Sequence, residues 1–355
     1  MTDIINIAIV GCGRISDLHA AAYLNHPHAQ ISAICEPNAD ARAQRGDAWR
    51  IPIERRFENV DDMLAADGID VVEVLVPHHL HEEVALKVIA SGRHLSLQKP
   101  MAMDVDQADR IIQAARDGGV VLKVFENFVF YPPVVLAKDL VDAGEIGDVL
   151  SVRLKSHSGY SPNMWEIPKQ TSAWRLDPST CGGGPLVFDD GHHKFAIAWH
   201  LAGRAQRVMS DIGSWEGTAI DSPSNVMWRH ENGAIGSLEV VFAHDTLINT
   251  KYYAQDDQVE ITGTKGVIWV RGGHGRLTDA PPVSLYAGGI VRDFVDVERD
   301  WGVSFIRSGQ HFIDALLSGQ APYLTGEQGR DVLAFTLAAQ ESGSTGCAVD
   351  PNYLT

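Results

Sequence analysis

The chain has 355 residues, 45% hydrophobic and 21% charged, with a formal net charge of −17, which is the balance of a globular protein long enough for two domains sharing one cleft. The acid surplus leaves no cluster of Lys and Arg for a nucleic-acid partner, and no apolar stretch approaches the roughly 20 residues that span a bilayer. No basic-then-apolar leader pattern opens the chain, and Cys12, Cys35, Cys181 and Cys347 lie far apart without metal-type pairing, so a cytoplasmic protein with reduced thiols is expected.

From the N-terminus, Ile5-Asn6-Ile7-Ala8-Ile9-Val10 reads as a strand running into Gly11-Cys12-Gly13-Arg14-Ile15-Ser16. In a dinucleotide-binding βαβ unit the first glycine permits the tight turn and the second lets the backbone approach a pyrophosphate. The third position must be small so that helix and strand can pack, and the helix N-terminus holds the anion. Ser16 takes that third place instead of Gly or Ala. Gly11, Gly13, Arg14 and Ile15 are therefore expected at the cofactor. The run 31–35 reads as the second strand, and Glu36 at its end is suited to accept hydrogen bonds from the adenosine ribose hydroxyls. A 2′-phosphate would meet like charge there, which favours NAD over NADP. The competing reading is a solvated carboxylate before Pro37, with Arg42 or Arg45 swung in to hold a phosphate.

Apolar runs at 71–76, 94–97 and 120–124 alternate with helix-like stretches around 60–66, 79–91 and 104–117. Such alternation implies a parallel sheet with helices on both faces, a Rossmann nucleotide domain over residues 1–125. Ligands of such sheets lie outside the carboxyl ends of the strands. Pro77-His78-His79-Leu80-His81 and Gln98-Lys99-Pro100 are thus expected to border the nicotinamide half of the cofactor, with His81 orienting its loop and starting a helix. Pro100 restricts Lys99 to an extended backbone. Asn127, after the last strand, either bonds cofactor or substrate or caps a helix.

Past 125 the texture changes, and residues 126–355 are expected to form a substrate-binding and oligomerisation domain. A helix-like run over 132–143 is followed by Gly144-Glu145-Ile146-Gly147 and a strand at 149–154. Arg153 and Lys155 share one face of that strand, either solvated or aimed at an acidic substrate. Tyr160, Trp165, Trp174 and Arg175 lie in a Pro-containing stretch whose aromatic rings suit the apolar faces of a sugar. The alternative for Trp174 and Arg175 is to anchor the loop. Next come Gly182-Gly183-Gly184 and Asp189-Asp190-Gly191-His192-His193-Lys194. If that segment is helical, Asp189 and His193 share a face. An imidazole can take a hydroxyl proton as hydride leaves the same carbon, while an ammonium stabilises the developing alkoxide. Lys99 and His193 form the candidate pair.

Strand-like segments at 206–212, 224–230, 234–243, 257–262 and 266–270, with the hairpin signal Asn232-Gly233, predict a mostly antiparallel sheet. Helices are expected near 184–201, 302–318 and 326–340. The imidazoles of His78, His79, His81, His192 and His193 show no paired zinc spacing, so no metal is expected.

Taken in order, the glycine turn at 11–15, the 77–81 stretch, Lys99-Pro100, Gly144-Glu145-Ile146-Gly147, Trp174-Arg175 before the triple glycine, and Asp189-x-Gly191-x-His193 resemble the glucose–fructose oxidoreductase, inositol 2-dehydrogenase and rhizopine-catabolism family, known as Gfo/Idh/MocA, over nearly the whole chain. The resemblance implies an N-terminal Rossmann domain and a C-terminal α/β domain with an open antiparallel sheet. That sheet is commonly buried by a second subunit, giving a homodimer or homotetramer. It also implies oxidation or reduction of a secondary alcohol or carbonyl on a sugar, inositol or related polyol with a bound nicotinamide. The family's Lys maps onto Lys99, its catalytic His onto His193 and its supporting Asp onto Asp189. Three departures stand out. Gln98 replaces the usual Glu and either orients the nicotinamide carboxamide or is merely tolerated. Ala196 replaces an Asp that many members carry. The doubled Asp and His leave a one-residue ambiguity that keeps His192 among the substrate candidates. Two rival functions remain: tightly bound NAD recycled within turnover, for glycoside cleavage or epimerisation, and a nucleotide-sensing regulator, which need not keep Lys99 and His193.

Overall fold

The computed structural model describes residues 4–166 and 173–354. The chain forms two compact units, Met1–Glu126 with Phe305–Leu333, and Asn127–Ser304 with Ala334–Thr355.

In the first unit six strands, β1 (Ile5–Val10), β2 (Ala29–Cys35), β3 (Arg56–Phe57), β4 (Val71–Val74), β5 (His94–Gln98) and β6 (Leu122–Phe125), pair in parallel in the order β3-β2-β1-β4-β5-β6. Every residue of β4 is buried, as a parallel sheet covered on both faces requires. The direction of winding reverses between β1 and β4, so the ligand crevice of such a sheet lies at their carboxyl ends. Asn38 and Asp104 cap the helices Ala39–Ala48 and Val105–Gly118 through side-chain oxygens that accept from the N–H groups of Ala41 and Gln107, satisfying donors a helix start leaves open.

The expected division at 125 leaves both closing helices, Trp301–Ser318 and Gly326–Thr345, with the second domain. Contacts instead divide them, and Phe305–Leu333 clusters with the first unit. Side chains explain it. Lys123 Nζ donates to Ser308 Oγ at 2.8 Å, and Arg330 Nε lies 2.5 Å from Asp109 Oδ1. A Cβ on Gly309 would fall 2.5 Å from the Ala22 methyl, so the helix approaches its neighbour at a distance that only glycine permits.

The second unit is built on eight strands: β7 (Val149–Tyr160), β8 (Ala205–Ile212), β9 (Ser224–His230), β10 (Ile235–Leu247), β11 (Gln255–Gly263), β12 (Gly266–Arg271), β13 (Val283–Ala287) and β14 (Ile290–Phe294). Their order is β14-β13-β12-β11-β7-β10-β9-β8, antiparallel except for β7 beside β10. Burial alternates strictly along β9, the pattern of a sheet with one packed face. Val152, Leu154, Leu238, Val240, Ile261 and Ile268 are buried on the face that carries the helices Pro132–Asp142 and Gly191–Ala202. The Asn232-Gly233 hairpin forms as expected, with Gly233 at φ +90° and the Ala234 N–H donating to Asn232 Oδ1.

Besides the two-residue β3, two strands of the second unit went unread in the sequence. β13 and β14 join through Gly288 and Gly289 at φ +61° and +83°, the positive pair that a two-residue hairpin turn demands. β14 is an exposed edge strand and lacks the apolar alternation that marks half-buried strands. On the open face, Arg153 meets Glu260 at 3.3 Å and Lys155 meets Glu239 at 3.1 Å. Both cations are therefore engaged by carboxylates of neighbouring strands, which removes the argument for an acidic substrate.

Candidate active site

The glycine turn has the shape its sequence demands. Gly11 sits at φ +95°, and a Cβ there would lie 2.7 Å from the Leu75 carbonyl oxygen. A Cβ on Gly13 would meet nothing within 4 Å, which leaves the backbone open on that side. Ser16, fully buried, donates its hydroxyl to the Gly13 carbonyl at 2.6 Å and opens the helix Ser16–Leu24. The third position thus ties turn to helix by a hydrogen bond as well as by small size. Arg14 is exposed and Ile15 half-buried beside the turn.

Glu36 is drawn onto this turn. Its Oε2 accepts the Cys12 N–H at 2.8 Å and its Oε1 the Asn38 N–H at 2.9 Å. Arg42 donates to the carbonyls of Glu36 and Pro37, and Arg45 pairs with Asp17 at 2.9 Å. Both arginines that were candidates for holding a 2′-phosphate are engaged, and the carboxylate stands at the carboxyl end of β2.

The loops after β4 and β5 are clamped together by one ring. His81, the first residue of the helix His81–Ala90, is fully buried, with Nδ1 2.8 Å from the Pro100 carbonyl and Nε2 2.9 Å from the Val76 carbonyl. Burial pushes this imidazole down to about 4, against the two carbonyls that favour its cation. The ring thus spans both loops. Pro77 is half-buried, and His78 is buried with its ring 5.5 Å from that of His81. Lys99 is 9% exposed, and its backbone N–H donates to Gln98 Oε1 at 2.7 Å.

In the second unit Asp189 lies in a wide helical turn, Pro185–Asp190, that runs directly into the helix Gly191–Ala202 carrying His193. Asp189 and His193 are 7% and 6% exposed. Arg175 Nε donates to Asp189 Oδ2 at 3.0 Å, and its guanidinium lies 4.4 Å over the Trp174 ring. Burial opposes the Arg175 cation, yet the Asp189 carboxylate outweighs it and holds the guanidinium above its ordinary range. The two readings of Arg175 thus merge, because the residue that anchors the loop also holds Asp189. His192 is 1% exposed, with Nδ1 3.1 Å from Thr336 Oγ1. Ala196 is fully buried. Asn127 does not cap the following turn; its Nδ2 donates to Ser304 Oγ at 2.8 Å.

A buried ion cluster supports the base of this helix. Lys194 Nζ lies 3.0 Å from Asp190 and 3.2 Å from Asp257, while Gln255 Nε2 donates to Asp190 Oδ2 at 2.6 Å. Burial disfavours the ammonium, but the two carboxylates more than offset it and raise its affinity for the proton. Three elements are locked to the residues that flank His193 by one ammonium shared between two carboxylates.

Sequence reasoning named Trp165 but missed the rest of an aromatic wall. Trp165, whose N–H donates to the Tyr252 carbonyl, sets its ring 5.1 Å from Tyr252, 5.8 Å from Tyr253 and 6.3 Å from Trp301. His274 stacks 4.4 Å from Trp301 and 6.4 Å from His193, and Phe128 lies 4.8 Å from His193. A cavity of about 550 Å³ adjoins it, bounded by Tyr131, Asn163, Tyr252, His274 and Trp301 among others. The legible signals were the doubled Tyr252-Tyr253 and a histidine flanked by glycines at 272–275. Tyr160 ends β7 half exposed; residues 167–172, between Trp165 and Trp174, lie outside the described residues.

Among the described residues no group of three or more His, Cys, Asp or Glu is arranged to hold a metal ion, and no helix is long and apolar enough to cross a membrane. All four cysteines are reduced thiols.

Comparison with known proteins agrees with this geometry. An oxidoreductase family model described as an NAD-binding Rossmann fold matches residues 5–126, and a GFO/IDH/MocA C-terminal domain model matches 134–269. Levoglucosan dehydrogenase of Pseudarthrobacter phenanthrenivorans is 27% identical over 66% of this chain and 67% of its own length. D-apiose dehydrogenase of Rhizobium rhizogenes is 24% identical over 97% of this chain and 96% of its own. A levoglucosan dehydrogenase solved with NADH and levoglucosan superposes with a TM-score of 0.84 at 22% identity, covering 98% of this chain and all of that one. The glycine turn with its carboxylate partner, the strand order and the two successive family matches make this chain a member of the Gfo/Idh/MocA family of NAD-binding oxidoreductases.

Proposed function

We propose that the protein is an NAD-dependent dehydrogenase acting on a secondary alcohol of a sugar or related polyol. Bound NAD supplies the hydride acceptor, through C4 of its nicotinamide. The turn at Gly11 and Gly13 receives the pyrophosphate, and Glu36 takes the adenosine ribose hydroxyls, with Arg42 and Arg45 engaged elsewhere in support of NAD over NADP. Lys99 polarises the substrate oxygen and stabilises the alkoxide, and His193 takes the hydroxyl proton at a ring nitrogen. Asp189, held by Arg175, orients that imidazole.

The observation that carries this reading is that His193 is joined through His274, 6.4 Å from it and 4.4 Å from Trp301, to an aromatic wall of Trp165, Tyr252, Tyr253 and Trp301. Such rings match the apolar faces of a sugar, and the adjacent cavity is within the usual 300–1,000 Å³ of small-ligand sites. Trp165 and Tyr160 are the aromatic contacts. The names of the relatives, which are sugar dehydrogenases, support the substrate class. Reduced thiols fit a cytoplasmic setting, and the net charge of −17 does not suit a nucleic-acid partner.

The test mixes protein and NAD with a panel of sugars, inositols and anhydrosugars and follows reduced-nicotinamide absorbance. A rise with one class is expected, and a smaller rise with NADP. Product without free reduced cofactor would replace the reading with internal recycling, and no turnover with any of them would overturn it.

The open face of the second sheet carries exposed Met209, Met227, Ile235 and Tyr286, more apolar surface than a solvated sheet needs. A second copy of the chain covers this face. Light scattering should give at least twice the mass of one chain, and Met227→Glu should lower it; a monomer in both cases would sink the assignment.

A further inference from the structure

Glu73 stands fully buried in the middle of β4, a strand otherwise made of Val71, Val72 and Val74. Its Oε1 lies 2.7 Å from His19 Nδ1, and its Oε2 accepts the Tyr23 hydroxyl at 2.6 Å. The other ring nitrogen of His19, Nε2, lies 3.0 Å from Gln98 Nε2, and Gln98 Oε1 accepts the Lys99 backbone N–H at 2.7 Å. That last bond settles the amide, because a backbone N–H can only donate and must face the oxygen. The amide nitrogen is then left to donate to His19. Nε2 of the ring must be a bare lone pair, and its single proton sits on Nδ1, donated to Glu73.

We propose that His19 and Glu73 are positioning residues for Lys99, locking Gln98 in the amide orientation that holds the Lys99 main chain, and doing so with a neutral imidazole. The inference rests on the reading of Lys99 as the group that polarises the substrate oxygen. It also gives Gln98 a purpose. A glutamate there would present oxygen to both Lys99 and His19, and the ring would have to carry both protons. Gln98 thus removes two buried charges at once, its own and that of His19.

The ring of His19 is enclosed by aromatic side chains and a few charged groups. Its ring packs on Phe125 at 4.0 Å and Phe305 at 5.1 Å. The charged and titratable groups around it are Glu73 on β4, Tyr23 one turn along its own helix, and Lys123 on β6, which lies 4.4 Å from the Phe125 ring and donates to Ser308, with Glu126 beyond. Burial would raise the Glu73 carboxyl, but its interactions with His19 first, and then with the Tyr23 hydroxyl and the Lys123 ammonium, hold it below its ordinary value. Burial lowers Lys123 to about 8, against Glu73 and Glu126.

The test is nitrogen NMR of the histidine-labelled protein with NAD bound. Wild type should show His19 with its proton on Nδ1 and a bare Nε2. Gln98→Glu should convert it to the doubly protonated form and add an ionisation to the pH profile of kcat that wild type lacks. Adding His19→Gln to that variant should abolish the new ionisation. His19→Gln alone should lower kcat about tenfold, the scale of a modest misplacement of a catalytic group, with the KM for NAD changed less than about threefold. A wild-type proton on Nε2, or a Gln98→Glu profile identical to wild type, would overturn the proposal. The tautomer needs no variant to fold and no turnover, so it fails or stands apart from the role of Lys99.

Discussion

Lys99→Met should lower kcat about a thousandfold while NAD binding stays within about threefold of wild type, because removing one preorganised stabiliser of an oxyanion costs roughly 10²–10³ in rate. Methionine keeps the length and apolar stem of lysine, so the packing of this largely buried side chain changes little. The backbone that launches it is unaffected, since Gln98 holds its N–H and His81 holds the Pro100 carbonyl through bonds the substitution does not touch. Cofactor binding is carried elsewhere, by the glycine turn and by Glu36 at the carboxyl ends of β1 and β2. Titrating NAD against intrinsic fluorescence and measuring turnover with the best substrate separates the two effects. Equal loss of binding and turnover would make Lys99 a cofactor anchor, and unchanged turnover would remove it from the mechanism.

His193→Asn should cost about 10²–10⁴ in kcat for alcohol oxidation, the usual contribution of a positioned general base. Asparagine retains a polar tip but takes no proton at neutral pH. The sign of the pH effect follows from the role. Oxidation needs the neutral imidazole, so wild-type kcat should rise with pH to a plateau, and His193→Asn should lose that rising limb. Asp189→Asn should give a smaller loss with the limb retained, since the imidazole remains while its orientation and the Arg175 pairing weaken. A pH profile for His193→Asn that parallels wild type would assign the proton to another group.

What could be read without coordinates was whatever the chain encodes over short distances. The glycine turn at 11–16, the carboxylate at 36, the strand and helix alternation of the first 125 residues and the Asn232-Gly233 hairpin are all local signals. They depend on φ at single positions, on the period of apolar residues and on the chemistry of turns. Parallel topology followed from that alternation, and the antiparallel second sheet from its turns and strand spacing. β14 escaped because an exposed edge strand carries no burial pattern to read.

Tertiary structure decided which distant groups meet. Glu73 stands 54 residues from His19, and His19 stands 79 from Gln98, so no spacing rule joins them into one hydrogen-bonded chain. The return of Phe305–Leu333 to the first unit, the hold of Arg175 on Asp189 and the contact of His192 with Thr336 have the same character. The aromatic wall draws Trp165, Tyr252, His274 and Trp301 from four separate segments. The sequence by itself determined the two sheets, the phosphate turn and the residue types of the chemistry, because backbone preference and periodicity act between near neighbours. Only the fold decided which polar atoms share a buried space, because burial forces each donor to find an acceptor and that partner is set by packing, whatever its distance along the chain.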